Sequence, residues 1–324
     1  MSKIAKKYFP EFEQSFIEVE ENIKINTLVA GVGEAILLLH GHPESYLIWR
    51  GIASKLAKNY KVVVTDLRGY GDSSKPEGLE DHSNYSKRVM ANDQIKVMDK
   101  LGIEKFHVVS HDRGARVAHR LILDHKEKVK TCTLMDILPT YDMYEQTNRE
   151  FATKYWHWFF YIQPKPFPET FLGSDPDYFI RRNLLNKATG DSVKQMFPED
   201  VLQEYIRHYS DPACVHAISE DYRASNTIDL VHDEEDRKRT INTPLLVLWG
   251  KNGVVGNIWN VLDGWKKFAS NVSGFGVEDC GHFVPEEQPE VVYESIFNFL
   301  EKTDKQILIG LPSYRTRNSE QSLP

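Results

Sequence analysis

Short apolar runs separated by amphipathic stretches set the rhythm of this chain. Phe16–Glu20 and Asn22–Leu28 alternate apolar and polar positions or nearly so, the pattern of a half-buried leading hairpin. Buried-strand candidates follow at Ala35–Leu39, Lys61–Thr65, Phe106–Ser110, Lys130–Met135, Leu245–Trp249 and Val272–Val277. Such runs suit strands covered on both faces. Between them, Trp49–Lys58, Tyr85–Leu101, Arg113–His125 and Pro289–Leu300 repeat apolar residues at helical spacing. This alternation predicts an α/β fold, a mostly parallel sheet flanked by helices.

The rhythm breaks between about Tyr141 and Leu230, where the aromatic cluster Tyr155–Tyr161 and several prolines replace it. A stretch of roughly ninety residues without a clear strand, set between two strands of one sheet, predicts a helical cap. The expected division is a core of residues 1–140 and 231–302, a cap of 141–230 and a tail of 303–324. The tail is polar apart from Ile307–Leu311 and is expected to fray or pack loosely.

Composition narrows the picture. With 324 residues and 41% apolar side chains, a core can form without metal or disulfide staples. Forty basic against 47 acidic residues leave a net charge of −7, a poor general match for nucleic acid. Cys132, Cys214 and Cys280 are odd in number and widely spaced. They form neither a zinc pattern nor a disulfide framework, which suits a reducing, cytoplasmic setting. Glu11 and Glu13 stand where a signal peptide needs apolar residues, and no apolar run approaches the roughly twenty residues of a membrane helix. No nucleic-acid or membrane partner is expected.

Ligands of an open parallel sheet bind at the carboxyl ends of its strands. After Phe106–Ser110 comes Ser110-His111-Asp112-Arg113-Gly114, whose small–x–nucleophile–x–small pattern makes a tight strand-to-helix turn with Asp112 at its centre. Asp112 is either a nucleophile or the N-cap of the next helix. Asp136 follows Lys130–Met135, and Gly281-His282-Phe283 follows the last strand. The chain order nucleophile, acid, histidine is that of a hydrolase triad. His40-Gly41-His42-Pro43 follows Ala35–Leu39, where the backbone N–H of His42 could serve an anion pocket. Arg113 and Arg116 lie one turn apart, either for substrate or for a solvated helical face. Asp66–Ser73 is Gly-rich but lacks a phosphate-loop or dinucleotide fingerprint and reads as scaffold.

These residues carry a family likeness. The chain resembles the α/β-hydrolase superfamily over nearly its whole length, and within it the haloacetate (fluoroacetate) dehalogenases. The likeness rests on His40-Gly41-His42-Pro43, Asp66–Ser73, His111-Asp112-Arg113-Gly114-Ala115-Arg116, Trp156-His157-Trp158-Phe159-Phe160, Asp221-Tyr222-Arg223-Ala224 and Gly281-His282-Phe283. The resemblance implies Asp112 as nucleophile, His282 as base and Asp136 as its orienting acid. It implies a substrate carboxylate on Arg113 and Arg116, and a halide among His157, Trp158 and Tyr222. It also implies a small haloacid substrate, a homodimer, and no metal or cofactor. The loop Gly250–Gly256 lacks the acid that many relatives keep there, which favours Asp136 as the triad acid. An epoxide hydrolase, using Tyr222, Tyr155 or Tyr161 as acids, and a non-catalytic binder on the same fold are the competing readings.

Overall fold

A computed structural model describes residues 1–187 and 196–310. Its eight strands are β1 Glu13–Glu20, β2 Ile23–Ala30, β3 Ala35–Leu39, β4 Lys61–Thr65, β5 Phe106–His111, β6 Val129–Met135, β7 Leu245–Gly250 and β8 Val272–Val277. They form one sheet in the order β1-β2-β4-β3-β5-β6-β7-β8. β2 pairs antiparallel with both β1 and β4, and every pair from β4 to β8 is parallel. β3 and β5 are buried along their whole length, as continuous apolar runs require.

Register positions the chemistry. Leu39 pairs with Ser110 and His111 with Met135, so β3, β5 and β6 end together. Their next residues, His40 to His42, Asp112 and Asp136, therefore share one edge of the sheet. β7 delivers Gly250 beside them. A Cβ there would lie 1.7 Å from the Gly281 carbonyl oxygen, so only glycine lets the loop bearing His282 close over the strand end.

Three expectations are corrected. β8 alternates exposure, with Phe275 45% exposed, because it is the last strand of the sheet and has a neighbour on one side alone. The helix expected at Trp49–Lys58 is instead a 3₁₀ turn, Tyr46–Gly51, followed by a short helix, Ala53–Leu56. Gly51 and β-branched Ile52 weaken a continuous helix at that point. The last helix runs Pro289–Gly310, so the segment expected to fray begins with helix; residues 311–324 lie outside the described residues.

Between β6 and β7 the described residues form helices and no strand. Those that matter here are Trp156–Tyr161, Pro176–Lys187 and Pro212–Ser225. They lay a lid of aromatic side chains, including buried Trp158, Tyr161 and Tyr222, over the carboxyl ends of β3, β5 and β6.

Candidate active site

Asp112 opens the helix Asp112–Asp124 with φ 45°, a left-handed conformation that costs a non-glycine residue about 1–3 kcal/mol. Close packing holds it there. A Cβ on Gly114 would meet the His40 carbonyl oxygen at 2.3 Å, and one on Gly41 would meet the Asp112 Cβ at 2.5 Å. The cap alternative fails, because His111 occupies the N-cap position and makes no side-chain cap hydrogen bond. The Asp112 carboxylate points elsewhere: its Oδ1 accepts the His42 backbone N–H at 2.9 Å. Burial by itself would raise its pKa, but the charged groups around it, the Arg113 and Arg116 guanidiniums among them, hold it well below the usual carboxylate range. Asp112 is thus an ionised carboxylate in a nearly dry site. Ser110 is committed to structure, its hydroxyl donating to the Thr133 carbonyl at 2.8 Å, which removes a serine nucleophile.

His282 stands beside it. Its Nδ1 lies 2.6 Å from Asp136 Oδ2, and its Nε2 lies 3.9 Å from Asp112 Oδ2. Asp136 is itself held by the Gly250 N–H, 3.3 Å from Oδ1. Donation of Nδ1–H to Asp136 leaves the Nε2 lone pair facing Asp112, the tautomer a general base needs.

The loop under His282 is set by a chain of hydrogen bonds. His111 Nε2 is 2.8 Å from the His282 carbonyl oxygen, and His111 Nδ1 is 3.1 Å from Glu44 Oε2. A carbonyl only accepts, so Nε2 donates its proton there and Nδ1 faces the Glu44 carboxyl. Burial pushes that carboxyl, like the neighbouring one of Glu286, up to about 8. Its folded pKa lies above the ordinary 4.5, so its contribution to stability is complete below about 4.5 and is lost as pH rises toward about 8. Glu44→Gln, whose amide can still donate to His111, should gain relative to the parent across that window. We expect the difference in Tm to move by about 2–4 °C between pH 5 and about pH 8.5. A constant difference in paired melting curves would place the proton elsewhere.

The two arginines are not equivalent. Arg113 is bound to Asp221 through Nε and Nη2, at 2.8 and 2.9 Å, and lies 4.1 Å from the Tyr222 ring centroid. Asp221 also takes Lys87 and the Tyr70 hydroxyl. Arg116 donates to the Leu138 carbonyl at 3.1 Å and to Thr140 Oγ1 at 2.9 Å, and stacks on Trp158 at 4.6 Å. It makes no ion pair with a described residue. Each guanidinium keeps one buried nitrogen without a partner among the described residues, Arg113 Nη1 and Arg116 Nε. The solvated helical face is excluded, since both side chains are buried.

The remaining predicted residues converge on the same space. His157 Nδ1, Trp158 Nε1 and His42 Nδ1 are also buried and unpartnered among the described residues. The rings of His42, His157 and Trp158 all lie within 6.4 Å of the Tyr222 ring. His42 Nε2 bonds to the hydroxyls of Tyr209 and Tyr161, so its ring is structural while its backbone serves Asp112. A cavity of about 660 Å³, lined by Tyr155, Trp156, Phe179, Arg182 and Lys187, reaches His282 from the cap side. Among the described residues, Asp72, Glu204 and His208 could offer ligand atoms to a metal, but Arg207 already pairs with Asp72 at 2.6 Å and Glu204 at 2.7 Å.

Sequence reasoning missed Asp221 as the counter-ion of Arg113, although it adjoins Tyr222 in a quoted motif. It missed Lys187 as well, whose sequence context carries no motif; its Nζ lies 3.4 Å from His157 Nε2.

Known proteins resemble this chain in sequence and fold. Residues 34–289 match the family model of the alpha/beta hydrolase fold. The chain is 42% identical to a fluoroacetate dehalogenase from Burkholderia sp, over 90% of this chain and 95% of that one. It is 30% identical to a soluble epoxide hydrolase from Corynebacterium sp. (strain C12), over 85% of this chain and 93% of that one. The crystal structure of an alpha/beta hydrolase from Nostoc sp PCC 7120 superposes with a TM-score of 0.87 at 53% identity, covering 90% and 99% of the two chains.

Proposed function

The chain belongs to the α/β-hydrolase fold family, in its fluoroacetate-dehalogenase branch, and on that premise we propose that it hydrolyses a 2-haloacid to the hydroxy acid and halide. One observation supports the acid as substrate: Arg116 is a buried cation that makes no ion pair among the described residues, and it feels the charge of Asp112 without contacting it. A buried unpaired charge costs several kcal/mol, and a bound carboxylate offsets that cost. The same guanidiniums screen Asp112 from the negative charge of its substrate.

The chemistry runs in two steps. Asp112 Oδ2 attacks the halogen-bearing carbon, the carbon–halogen bond breaks, and the halide leaves with the bonding pair. The departing anion is received by the free N–H groups of the His157 and Trp158 rings and by Tyr222, donors that matter most once charge has developed. His282 then takes a proton from water, which attacks the Asp112 ester carbon. The oxyanion forms on Oδ1, where the His42 N–H already points. On collapse the departing alkoxide takes the proton held by His282, and the proton left on the Asp112 carboxyl passes to His282 and on to solvent, which restores the carboxylate, with Asp136 stabilising the imidazolium in between.

Halide release from fluoro-, chloro- and bromoacetate, set against diol formation from styrene oxide, tests the assignment. Turnover of the epoxide alone would overturn it in favour of the second reading. That reading draws on Tyr155 and Tyr222, whose hydroxyls both feel the Asp112 charge, and on the Corynebacterium relative. It leaves Arg116 with no anion to bind.

Arg116→Met should raise KM for chloroacetate by about tenfold or more, the loss of a charge-assisted fork of ~1.5–3 kcal/mol. Turnover of neutral chloroacetamide should change far less. Equal losses for the two substrates would remove Arg116 from carboxylate binding.

A further inference from the structure

His157 is neutral in this site: burial, then the charge of Lys187, hold its ring well below its ordinary pKa. A neutral imidazole has one N–H, and only the nitrogen that carries it can donate to a leaving halide. Its two nitrogens have different surroundings. Nδ1 is buried without a partner among the described residues, and the ring faces His42, Tyr155 and Tyr222. Nε2 lies 3.4 Å from Lys187 Nζ.

We propose that Lys187 is a positioning residue for halide departure: its ammonium donates to His157 Nε2 and thereby fixes the tautomer whose Nδ1–H faces the leaving group. The inference rests on the dehalogenase reading for its purpose, not for its structure. An ammonium has three donors and no acceptor, so a ring nitrogen facing it must accept, and the ring proton is forced onto the other nitrogen. Placement supports the charge. Lys187 ends the helix Pro176–Lys187, its ammonium lies 5.8 Å from the Tyr155 ring centroid, and its carbonyl accepts the His282 N–H at 3.3 Å. Burial pulls its pKa down to about 8, while Asp112, foremost, and Asp136 favour the charged form. Lys187 is therefore charged at neutral pH. Its charge also adds to the field that receives the departing halide. Fluoride concentrates more charge than bromide and depends more on such a field, so the residue contributes to leaving-group range.

Two variants and one spectroscopic readout test this. In Lys187→Met, kcat/KM for fluoroacetate should fall about 10–100-fold while that for bromoacetate falls less than about threefold, as for loss of one oriented donor. Lys187→Arg keeps a donor-only cation and should stay within about fivefold of the parent on fluoroacetate. Long-range ¹⁵N–¹H spectra of histidine-labelled protein should show His157 protonated at Nδ1 in the parent and in Lys187→Arg. Lys187→Met should show signal at Nε2. An unchanged tautomer in Lys187→Met, equal losses on both haloacetates, or a Lys187→Arg protein as impaired as Lys187→Met would each overturn the proposal. If the parent releases no halide at all, the dehalogenase reading fails, and the spectra still decide the role of Lys187.

Discussion

Asp112→Asn should release halide from haloacetates at least about 10⁴-fold more slowly than the parent, the scale on which removing a nucleophile from a triad acts. Asparagine tolerates the left-handed backbone at this position, φ 45°, better than most side chains and can still accept the His42 N–H. The loss would therefore be chemical, not conformational, and unchanged thermal melting should accompany it. What goes is the anionic oxygen: an amide is too weak a nucleophile to displace halide from saturated carbon. The direct check is isotopic. In a single turnover of the parent in H₂¹⁸O, label should enter the Asp112 side chain, because water attacks the ester at the carboxyl carbon. Label appearing in the hydroxy acid alone after one turnover would mean that water attacks the substrate itself, and Asp112 would lose its role.

His282→Asn should separate the two steps. The first step needs no base, since Asp112 is already ionised, so halide should appear as a burst equivalent to the enzyme present. The second step should then slow by about 10⁴-fold or more. Intact-protein mass spectra should show one carboxymethyl group added, and peptide mapping should place it on Asp112. The 3.9 Å between His282 Nε2 and Asp112 Oδ2 fits this division of labour: beyond hydrogen-bond range, it suits a base that acts through water. A His282→Asn protein that turns over steadily without an adduct would contradict the scheme.

Much of the fold was readable because its signals are local. β3, β4 and β8 coincide with apolar runs to the residue, and Asp112, Asp136 and His282 were found because each follows a strand. The break at Trp49–Lys58 was less readable, since apolar spacing suits a helix there although Gly51 interrupts it. Exposure of β8 could not be read at all: an edge strand and a central one share the same composition, and only sheet order tells them apart.

The linear sequence by itself determined the strand–helix alternation, the tight turn that centres on Asp112 and the placing of Asp112, Asp136 and His282 after strands. Periodicity and turn chemistry act over a few residues, so they survive in the sequence. Only the tertiary structure decided which charges meet. Asp221 reaches Arg113 across 108 positions and pairs its charge, while Arg116, three residues further along the same helix, meets no carboxylate among the described residues. Lys187 reaches His157 across 30 positions and settles where a proton sits. Such pairings depend on helix packing and burial, because a buried charge is set by its neighbours in space, whatever their distance along the chain.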